Sequence, residues 1–335
     1  MKAPHFWSAG LDPRSREAAP LTRLLLTPLA ALYTFGIRRK LSRAKPESIP
    51  ARIVCVGNLT VGGVGKTPVV EAIRRRASEA GLRTASLSRG YGGKLEGPLK
   101  VDPDKHNSAD VGDEPLMLAA TGEAWIGKDR AEAARTMAED GVQLIVMDDG
   151  HQNPSVAKDL SLIVIDAAAP FGNGHVLPKG PLREPVADGL ARADGVILMG
   201  EGKELTAVQK SRLPVVRAGL APAGDVPEGP LVAFAGIGRP VKFFDSLTAA
   251  GADLQDSVPY GDHHAYTAGD LKFLHDLAAE RGARLITTSK DHVRLPAEER
   301  ARILVFPVEA RFEDEAALAA LLAPILKPVL TPDKA

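Results

Sequence analysis

The chain has 335 residues, of which 44% are hydrophobic and 25% are charged, and its formal net charge is zero. These values are typical of a folded protein of about two domains. They exclude a disordered chain, a fibrous repeat and a polytopic membrane protein. The one cysteine, Cys55, excludes an internal disulfide and a zinc site built from several cysteines.

The first fifty residues carry an excess of positive charge, with nine Lys or Arg against three Asp or Glu. An apolar stretch from Leu24 to Ile37 is followed directly by Arg38-Arg39-Lys40. A helix needs about 20 residues to cross a bilayer, and a secretory signal has its basic residues before the apolar run. We therefore predict an amphipathic, membrane-associated segment over residues 1–50, with a helix in the membrane interface. The alternative is a helix that packs on its own domain.

From Ala51 onward, apolar runs alternate with helical patterns. Continuous runs such as 144–147 are typical of parallel strands that are covered on both faces. The predicted strands are 52–56, 83–88, 142–148, 161–166, 195–199, 231–236, 284–288 and 303–306. The predicted helices are 67–80, 113–121, 129–140, 241–250, 268–281 and 313–325. This alternation indicates an α/β fold with a mostly parallel sheet flanked by helices.

A stretch rich in Ala, Gly and Pro at 218–230 is the predicted linker. It divides the remainder of the chain into a larger domain, 51–225, and a smaller C-terminal α/β domain, 226–330. We expect the smaller domain to close over a cleft in the larger one.

A glycine-rich loop follows the first predicted strand and reads GNLTVGGVGKTP over residues 57–68. In the common phosphate-binding pattern GxxxxGK[ST] the first glycine would fall at Thr60, and here Gly62 and Gly63 supply the flexibility instead. Glycines let successive backbone N–H groups converge on phosphate oxygens at a helix N-terminus. Lys66 would reach the β- and γ-phosphates, and the Thr67 hydroxyl would bind Mg²⁺. The predicted nucleotide-binding residues are Thr60, Val61, Gly62, Gly63, Val64, Gly65, Lys66 and Thr67.

A second buried strand ends in Asp148-Asp149-Gly150. Parallel strands bring their carboxyl ends to the same edge of a sheet, so these carboxylates are expected beside the phosphates. The combination of this acid pair with the preceding loop predicts a P-loop NTPase-type domain that binds a nucleoside triphosphate.

Three further motifs are candidates for the acceptor side of the cleft. In Ser88-Arg89-Gly90-Tyr91-Gly92-Gly93, Arg89 could hold a phosphate and Tyr91 could contact an acceptor, or the motif could be a simple glycine turn. In Gly112-Asp113-Glu114-Pro115, Asp113 could accept a proton from a hydroxyl or cap a helix. In the run 177–185, LPKGPLREP, Lys179 and Arg183 could neutralise phosphate charge or lie on a rigid connector.

The C-terminal region contains Asp262-His263-His264 and, at a strand end, Thr287-Thr288-Ser289-Lys290-Asp291. Two adjacent histidines with one aspartate make a poor metal site. A histidine that orients a catalytic aspartate across the cleft is the more plausible interpretation of His263.

Taken together, these motifs resemble the tetraacyldisaccharide 4′-kinase family of lipid A biosynthesis. The resemblance implies transfer of the ATP γ-phosphate to the 4′-hydroxyl of a tetraacylated glucosamine disaccharide 1-phosphate. It implies ATP and Mg²⁺ as cofactors, the lipid A disaccharide precursor as the substrate, and a peripheral or monotopic position at the cytoplasmic face of the inner membrane. We expect a monomer without a nucleic-acid partner.

The resemblance also implies a role for each matching residue. Asp113 would be the general base with His263 as its partner, and Lys66 would act on the transferred phosphate. Arg89, Tyr91 and Arg183 would contact phosphate or acceptor. The implied metal ligands are Thr67, Glu114, Asp148 and Asp149.

The sequence departs from the family pattern at one place, and two alternative functions remain open. Family members often have Phe-Gln-His after the Asp-Gly pair, whereas this chain has His151-Gln152-Asn153. A membrane-targeted regulatory ATPase of the partitioning type would have a signature lysine where this chain has Val61. A P-loop kinase or GTPase acting on a soluble acceptor is the second alternative, and the guanine-specifying Asn-Lys-x-Asp pattern is not apparent.

Overall fold

The apolar runs that follow Ala51 form the strands of two sheets, one mostly parallel and one parallel, in the computed structural model, which describes residues 3–12, 15–202 and 205–326. The strands are β1 (Arg52–Gly57), β2 (Thr84–Ser88), β3 (Leu99–Lys100), β4 (Ala124–Ile126), β5 (Leu144–Asp148), β6 (Leu160–Asp166), β7 (Gly195–Met199), β8 (Val215–Pro222), β9 (Pro230–Ala235), β10 (Asp253–Pro259), β11 (Arg284–Thr288), β12 (Leu304–Phe306) and β13 (Val308–Phe312).

The α-helices lie mainly between the strands, as the alternating pattern predicts. They are α1 (Pro20–Leu25), α2 (Thr27–Arg43), α3 (Lys66–Glu79), α4 (Ser108–Val111), α5 (Asp113–Ala120), α6 (Arg130–Glu139), α7 (Val186–Leu190), α8 (Thr206–Ser211), α9 (Pro240–Ala249), α10 (Ala268–Glu280), α11 (Ser289–His292), α12 (Ala297–Arg300) and α13 (Glu315–Leu326). The predicted α/β fold class is confirmed, with a large, mostly parallel sheet flanked by helices.

The first sheet has nine strands in the order β13-β8-β7-β6-β1-β5-β2-β4-β3. Only the outermost strands, β3 and β13, run antiparallel to their neighbours. The central strand β1 lies between β5 and β6, and Val56 is in register with Asp148. The loop after β1 and the acids after β5 therefore meet at one edge of the sheet, where parallel α/β sheets bind ligands.

The core of this sheet follows the alternation of side chains along its strands. Val54 and Val56 of β1 point to the face that α3, α5 and α13 cover, whereas Ile53 points to the opposite face with Met137 of α6. All of these side chains are buried. Burial on both faces explains why the strand sequences are apolar throughout.

The second sheet is parallel, with the order β10-β9-β11-β12. Helix α9 covers one face through Phe243, Phe244 and Leu247, and α10 covers the other through Leu271 and Leu274. The two sheets define a first unit and a second unit of the chain.

The predicted linker at 218–230 is shorter than expected, because β8 continues to Pro222 and β9 begins at Pro230. We keep the division near residue 225 as a proposal. The end of the predicted C-terminal domain needs a correction for residues 308–326. Strand β13 pairs with β8, and Phe312 and Leu318 join the core of the first sheet, so these residues belong with the first unit. Residues 327–330 of the predicted domain lie outside the described residues.

The N-terminal segment is helical, as predicted. Helices α1 and α2 follow each other directly, and α2 extends to Arg43, beyond the apolar stretch. Within the described ranges, no helix is both long enough and apolar enough to cross a membrane.

Candidate functional site

The loop between β1 and α3 forms the predicted phosphate-binding turn. Helix α3 begins at Lys66, and the preceding Gly65 has φ 85°, a conformation that favours glycine. A Cβ at Gly62 or Gly63 would meet nothing within 4 Å. The backbone of these two glycines is therefore open to a ligand at the N-terminus of a helix, which is the geometry of an anion-binding site.

The Lys66 ammonium lies in the middle of this turn and is largely buried. Its Nζ is 3.4 Å from Asn58 Oδ1 and 3.5 Å from Asp149 Oδ1. Asn58 is itself fully buried and donates through Nδ2 to the Thr60 carbonyl at 2.7 Å. Both contacts of the ammonium are long, so it can turn towards phosphate oxygens without breaking a strong bond.

The LPKGPLREP run packs directly on this loop. The Val61 N–H donates to the Pro181 carbonyl at 2.9 Å, and Arg183 Nε donates to the Thr60 carbonyl at 3.2 Å. Arg183 Nη1 also donates to both oxygens of Asp149, at 2.8 and 2.9 Å. The backbone N–H of Val61 is thus already used, and Gly62 to Thr67 form the part of the predicted loop that is open to phosphates.

The two acids at the end of β5 have different surroundings. Burial would raise the pKa of Asp149, but the charges of Lys66 and Arg183 outweigh it and the pKa lies below its usual value. Burial, together with the negative charge of Glu114, raises the pKa of Asp148 to about 7. Asp148 Oδ1 is buried and has no hydrogen-bond partner among the described residues. A cation beside Asp148 would stabilise its ionised form.

The predicted Mg²⁺ ligands therefore fit a hard cation. Thr67, Glu114 and Asp148 offer oxygen donors, and within the described ranges Asp148 Oδ1 accepts no hydrogen bond. Among the described residues, no three acidic, histidine or cysteine side chains converge into a cage.

Asp113 and His263 are 150 residues apart in the chain and meet across the two units. His263 Nδ1 lies 3.1 Å from Asp113 Oδ2, and Arg294 Nε donates to the same oxygen at 2.7 Å. Arg294 is itself fixed by the Gly236 carbonyl and by Asp291, each at 3.0 Å. The described contacts of the Asp113 carboxylate are all made by Oδ2.

Lys290 determines which nitrogen of His263 carries the proton. Its Nζ lies 3.1 Å from His263 Nε2, and an ammonium group can only donate. In a neutral ring Nε2 therefore accepts, and Nδ1–H donates to Asp113. Arg294 Nη2 lies 3.2 Å from Nδ1. Because a guanidinium group cannot accept a hydrogen bond, Nη2 is a second donor near Nδ1–H, and Asp113 is the acceptor of that hydrogen.

The glycine turn 88–93 holds the start of α5. Gly112 has φ 89°, and a Cβ there would lie 2.4 Å from the Tyr91 carbonyl oxygen. Asp113 follows as the first residue of α5, and its side chain makes no capping hydrogen bond. The alternative role of Asp113 as a helix cap is therefore wrong, since the cap position belongs to Gly112 and the carboxylate points to the second unit.

The same turn leaves its two predicted contact residues exposed. Tyr91 is 84% exposed, and Arg89 is also exposed to solvent. Arg89 is close enough to Arg130 for its charge to lower the Arg130 pKa. The structure thus brings Lys66 and Glu114 close enough to the strand-end acids for their charges to act on Asp148, with Thr67 next to Lys66 at the start of α3. It leaves Arg89 and Tyr91 exposed at the margin.

Sequence reasoning missed Arg130 and Arg294. Arg130 is buried at the start of α6, donates to the Gly127 carbonyl, and keeps an unpartnered Nε. Burial, with the charge of Arg89, lowers its pKa to about 10. The sequence feature that marks Arg130 is its position at the junction between β4 and α6. Because β4 is too short to predict from the sequence, this junction was not recognised. Arg294 follows Asp291 by three residues, a spacing that places both on one side of a helical turn.

The departure at His151-Gln152-Asn153 is structural. His151 is buried, with Nδ1 3.1 Å from Ser161 Oγ and Nε2 3.1 Å from the Gly189 carbonyl. Burial and the charge of Lys158 lower its pKa to about 3, so the ring is neutral. Gln152 donates to the Asn58 carbonyl at 3.0 Å, and this bond supports the beginning of the phosphate-binding loop.

Comparison with known proteins gives consistent matches. A family model described as Tetraacyldisaccharide-1-P 4′-kinase matches residues 22–327. A tetraacyldisaccharide 4′-kinase from Hyphomonas neptunium is 68% identical over 327 residues, with 98% of each chain covered. One from Maricaulis maris is 50% identical, with 97% of each chain covered.

A solved structure has a similar fold. The chain matches an Aquifex aeolicus LpxK crystal structure, described as an "apo" form in complex with ATP, with a TM-score of 0.75. The sequences are 26% identical, and the match covers 91% of this chain and 99% of the other.

Proposed function

The chain belongs to the tetraacyldisaccharide-1-P 4′-kinase family, and from this premise we infer that it is an ATP-dependent kinase of lipid A biosynthesis. It transfers the γ-phosphate of ATP to the 4′-hydroxyl of a tetraacylated glucosamine disaccharide 1-phosphate. The observation that carries the assignment is the meeting of the phosphate-binding turn and the strand-end acids at one edge of the first sheet. Glu114, the neighbour of Asp113, is close enough for its charge to raise the pKa of Asp148. The regulatory ATPase and the soluble kinase are accordingly set aside.

We propose that Asp113 accepts the proton of the attacking hydroxyl. The hydroxyl oxygen forms a bond to the γ-phosphorus, the bond from that phosphorus to the β–γ bridging oxygen breaks, and ADP leaves. His263 Nδ1–H and Arg294 hold Asp113 Oδ2, so that Oδ1 can receive the proton. A carboxylate fixed in this way needs no reorientation at the moment of transfer.

The triphosphate is expected along Gly62 to Thr67, with Lys66 turning from Asn58 and Asp149 to its oxygens. Mg²⁺, when bound, supplies neutralisation of the phosphate charge. We propose Thr67, Asp148 and Glu114 as the residues that hold it. Asp149 instead keeps its ion pair with Arg183, and so orients the loop that receives the nucleotide.

The acceptor is proposed to contact Arg89 and Tyr91 at the exposed margin of the site. Arg183, which the resemblance assigns to phosphate or acceptor, is held by Asp149 and the Thr60 carbonyl. Its contribution would therefore be positive charge near the phosphates and fixation of the loop.

We propose that α1 and α2 place the enzyme at the cytoplasmic face of the inner membrane. Their apolar side chains remain exposed, at 75% for Leu21, 75% for Leu25 and 61% for Phe35. Arg39 and Lys40 follow on the same segment and can meet anionic headgroups. A lipid acceptor would then reach the site without leaving the bilayer surface.

The direct test is label transfer from γ-labelled ATP to a purified tetraacyldisaccharide 1-phosphate. The chromatographic product should carry one label at the 4′-position, in proportion to ADP formed. Asp113→Asn should lose about 10²–10⁴-fold in kcat, the contribution expected of a general base, and keep its affinity for ATP. The matched control is Asp104→Asn, an exposed loop carboxylate. ADP formation without labelled lipid would contradict the assignment.

A further inference from the structure

A group of three basic side chains lies where the N-terminal helices meet the loop over residues 173–183, which includes the beginning of LPKGPLREP. This basic cluster consists of Arg23, His175 and Lys179. Lys179 Nζ donates to Thr27 Oγ1 at 3.1 Å, and the Thr27 hydroxyl donates to the Arg23 carbonyl at 2.9 Å. The Lys179 ammonium is thereby placed against the end of α1, one helical turn from Arg23.

No carboxylate neutralises the basic cluster within the described ranges. Arg23 Nε is buried and has no hydrogen-bond partner there. The pKa of His175 is lowered by burial and then by the positive charges of Lys179 and Arg23. An uncompensated set of donors such as this one is a site where an anion gains both charge and hydrogen bonds.

The loop that carries His175 and Lys179 is held by hydrogen bonds to the N-terminal segment and by a hydrogen bond within the loop. Trp7 Nε1 donates to the Pro178 carbonyl at 3.1 Å, and Asn173 Nδ2 donates to the Phe6 carbonyl at 2.8 Å. The Leu182 N–H donates to the His175 carbonyl at 3.0 Å. The cluster therefore belongs to a connected structure, in which the N-terminal segment and the loop fix each other.

The same loop leads from the cluster to the reaction site. Arg183, which binds Asp149 beside Lys66, follows Lys179 by four residues, a chain length of at most about 14 Å. Two linked sugar rings fit within this upper limit. On the other side of the cluster, Leu24 and Leu25 of α1 are 68% and 75% exposed and can accompany acyl chains.

We propose that the basic cluster binds a phosphate monoester of the lipid acceptor, at the end of the disaccharide remote from the hydroxyl that reacts. The inference rests on the proposed function. The cluster would set the register of the acceptor, because a disaccharide held by its remote phosphate at Lys179 and Arg23 extends along the loop towards Asp113. It would also let the enzyme distinguish an acceptor that carries this phosphate from one that lacks it.

The experiment compares two acceptors in neutral-detergent micelles: the tetraacyldisaccharide 1-phosphate and the same lipid without its phosphate. The variants are Arg23→Met, Lys179→Met and the conservative Lys179→Arg. Lys210→Met, an exposed lysine on α8, is the control for loss of one positive charge. Thermal unfolding of each variant reports whether it is folded.

We expect KM for the phosphorylated acceptor to rise about 10–100-fold in the two Met variants, as for a lost charge-assisted contact, with kcat nearly unchanged. KM for the acceptor without phosphate should stay at the wild-type value, and Lys179→Arg should recover most of the loss. Equal losses with both acceptors would overturn the inference, because the cluster would then have only a structural role.

A second arm separates the acceptor phosphate from bilayer phosphates. Phosphatidylglycerol is added to the micelles at constant acceptor concentration. If the variants alter only the response to phosphatidylglycerol, the cluster serves membrane headgroups and the inference is wrong. A wild-type enzyme that transfers label to neither acceptor would instead refute the proposed function itself.

Discussion

At the scale of the residue, the Asp113–His263 pair shows both what a sequence can indicate and where it stops. Motif order and family resemblance together predicted two residues that lie 150 positions apart and that the structure brings within 3.1 Å. Lys290 belongs to a strand-end motif that the sequence marked without a role, and Arg294 had no comparable signal. Lys290 lies on a four-residue helix after a short strand, and Arg294 lies just beyond that helix. The contacts of both residues with the pair depend on how the two units meet.

Lys290→Met should weaken the preference for the Nδ1–H tautomer of His263, because the ring loses the donor to Nε2. We expect a fall of about tenfold in kcat, towards the low end of contributions from general acid–base groups, with little change in KM for ATP. ¹⁵N shifts of labelled histidine measure the tautomer directly. Lys272→Met, an exposed lysine on α10, is the control. An unchanged tautomer together with unchanged kcat would contradict the role of Lys290.

His151 should make stability depend on pH. Its pKa is about 3 in the folded chain, against about 6.5 when unfolded, so the unfolded state binds the extra proton between these values. The contribution of neutral His151 to the free energy of unfolding is therefore fully present above about pH 6.5, and it is lost as the pH falls below that value. Relative to His151→Phe, the wild-type free energy of unfolding should drop by about 1.4 kcal/mol per pH unit below pH 6. Urea unfolding of both proteins at pH 7, 6 and 5 measures this difference. If the two free energies of unfolding changed equally with pH, the assignment would be contradicted.

At the scale of the element, length and burial decided which strands were predictable. Continuous apolar runs such as β5 and β6 were found because both of their faces are covered. Strands β3 and β4 contain two and three residues, too few for a pattern. Strand β10 lies at a sheet edge with alternate residues exposed, and its polar sequence resembles a loop.

The turn before α5 should tolerate no side chain at Gly112. Gly112→Ala would combine a strained φ with an overlap on the Tyr91 carbonyl, and would displace Asp113. We expect a loss of at least tenfold in kcat, because small displacements of positioned groups are costly. Gly81→Ala is the matched control: its φ is 84°, but a Cβ there would meet nothing within 4 Å. Similar kinetics for both variants would mean that the overlap is harmless.

At the scale of the whole molecule, the N-terminal charge asymmetry and apolar stretch predicted a helix that the structure contains. How α1 and α2 dock could not be predicted, since Lys179 and Asp188 contact them from distant parts of the chain. Arg38 Nε, for example, donates to Asp188 Oδ2 at 2.6 Å. Such contacts depend on the finished sheet and have no local pattern.

Membrane attachment should depend on the exposed apolar side chains of α1 and α2. The double variant Leu25→Asp and Phe35→Asp should reduce sedimentation with phosphatidylglycerol vesicles by at least tenfold, since charged groups replace apolar area in the interface. Phe273→Asp changes another exposed apolar side chain, which lies in the second unit and is 53% exposed, and it serves as the control. Unaltered sedimentation of the double variant would contradict the proposed attachment.

The return of β13 and α13 to the first sheet makes the second unit an insertion. The chain leaves the first unit after β8 and re-enters it at β13, so two separate connections join the units. During synthesis, the second unit can fold as soon as β12 has left the ribosome, whereas the nine-stranded sheet must wait for its last edge strand and covering helix. A stop codon near residue 307 would consequently spare the inserted unit and leave the nucleotide-binding sheet unfinished.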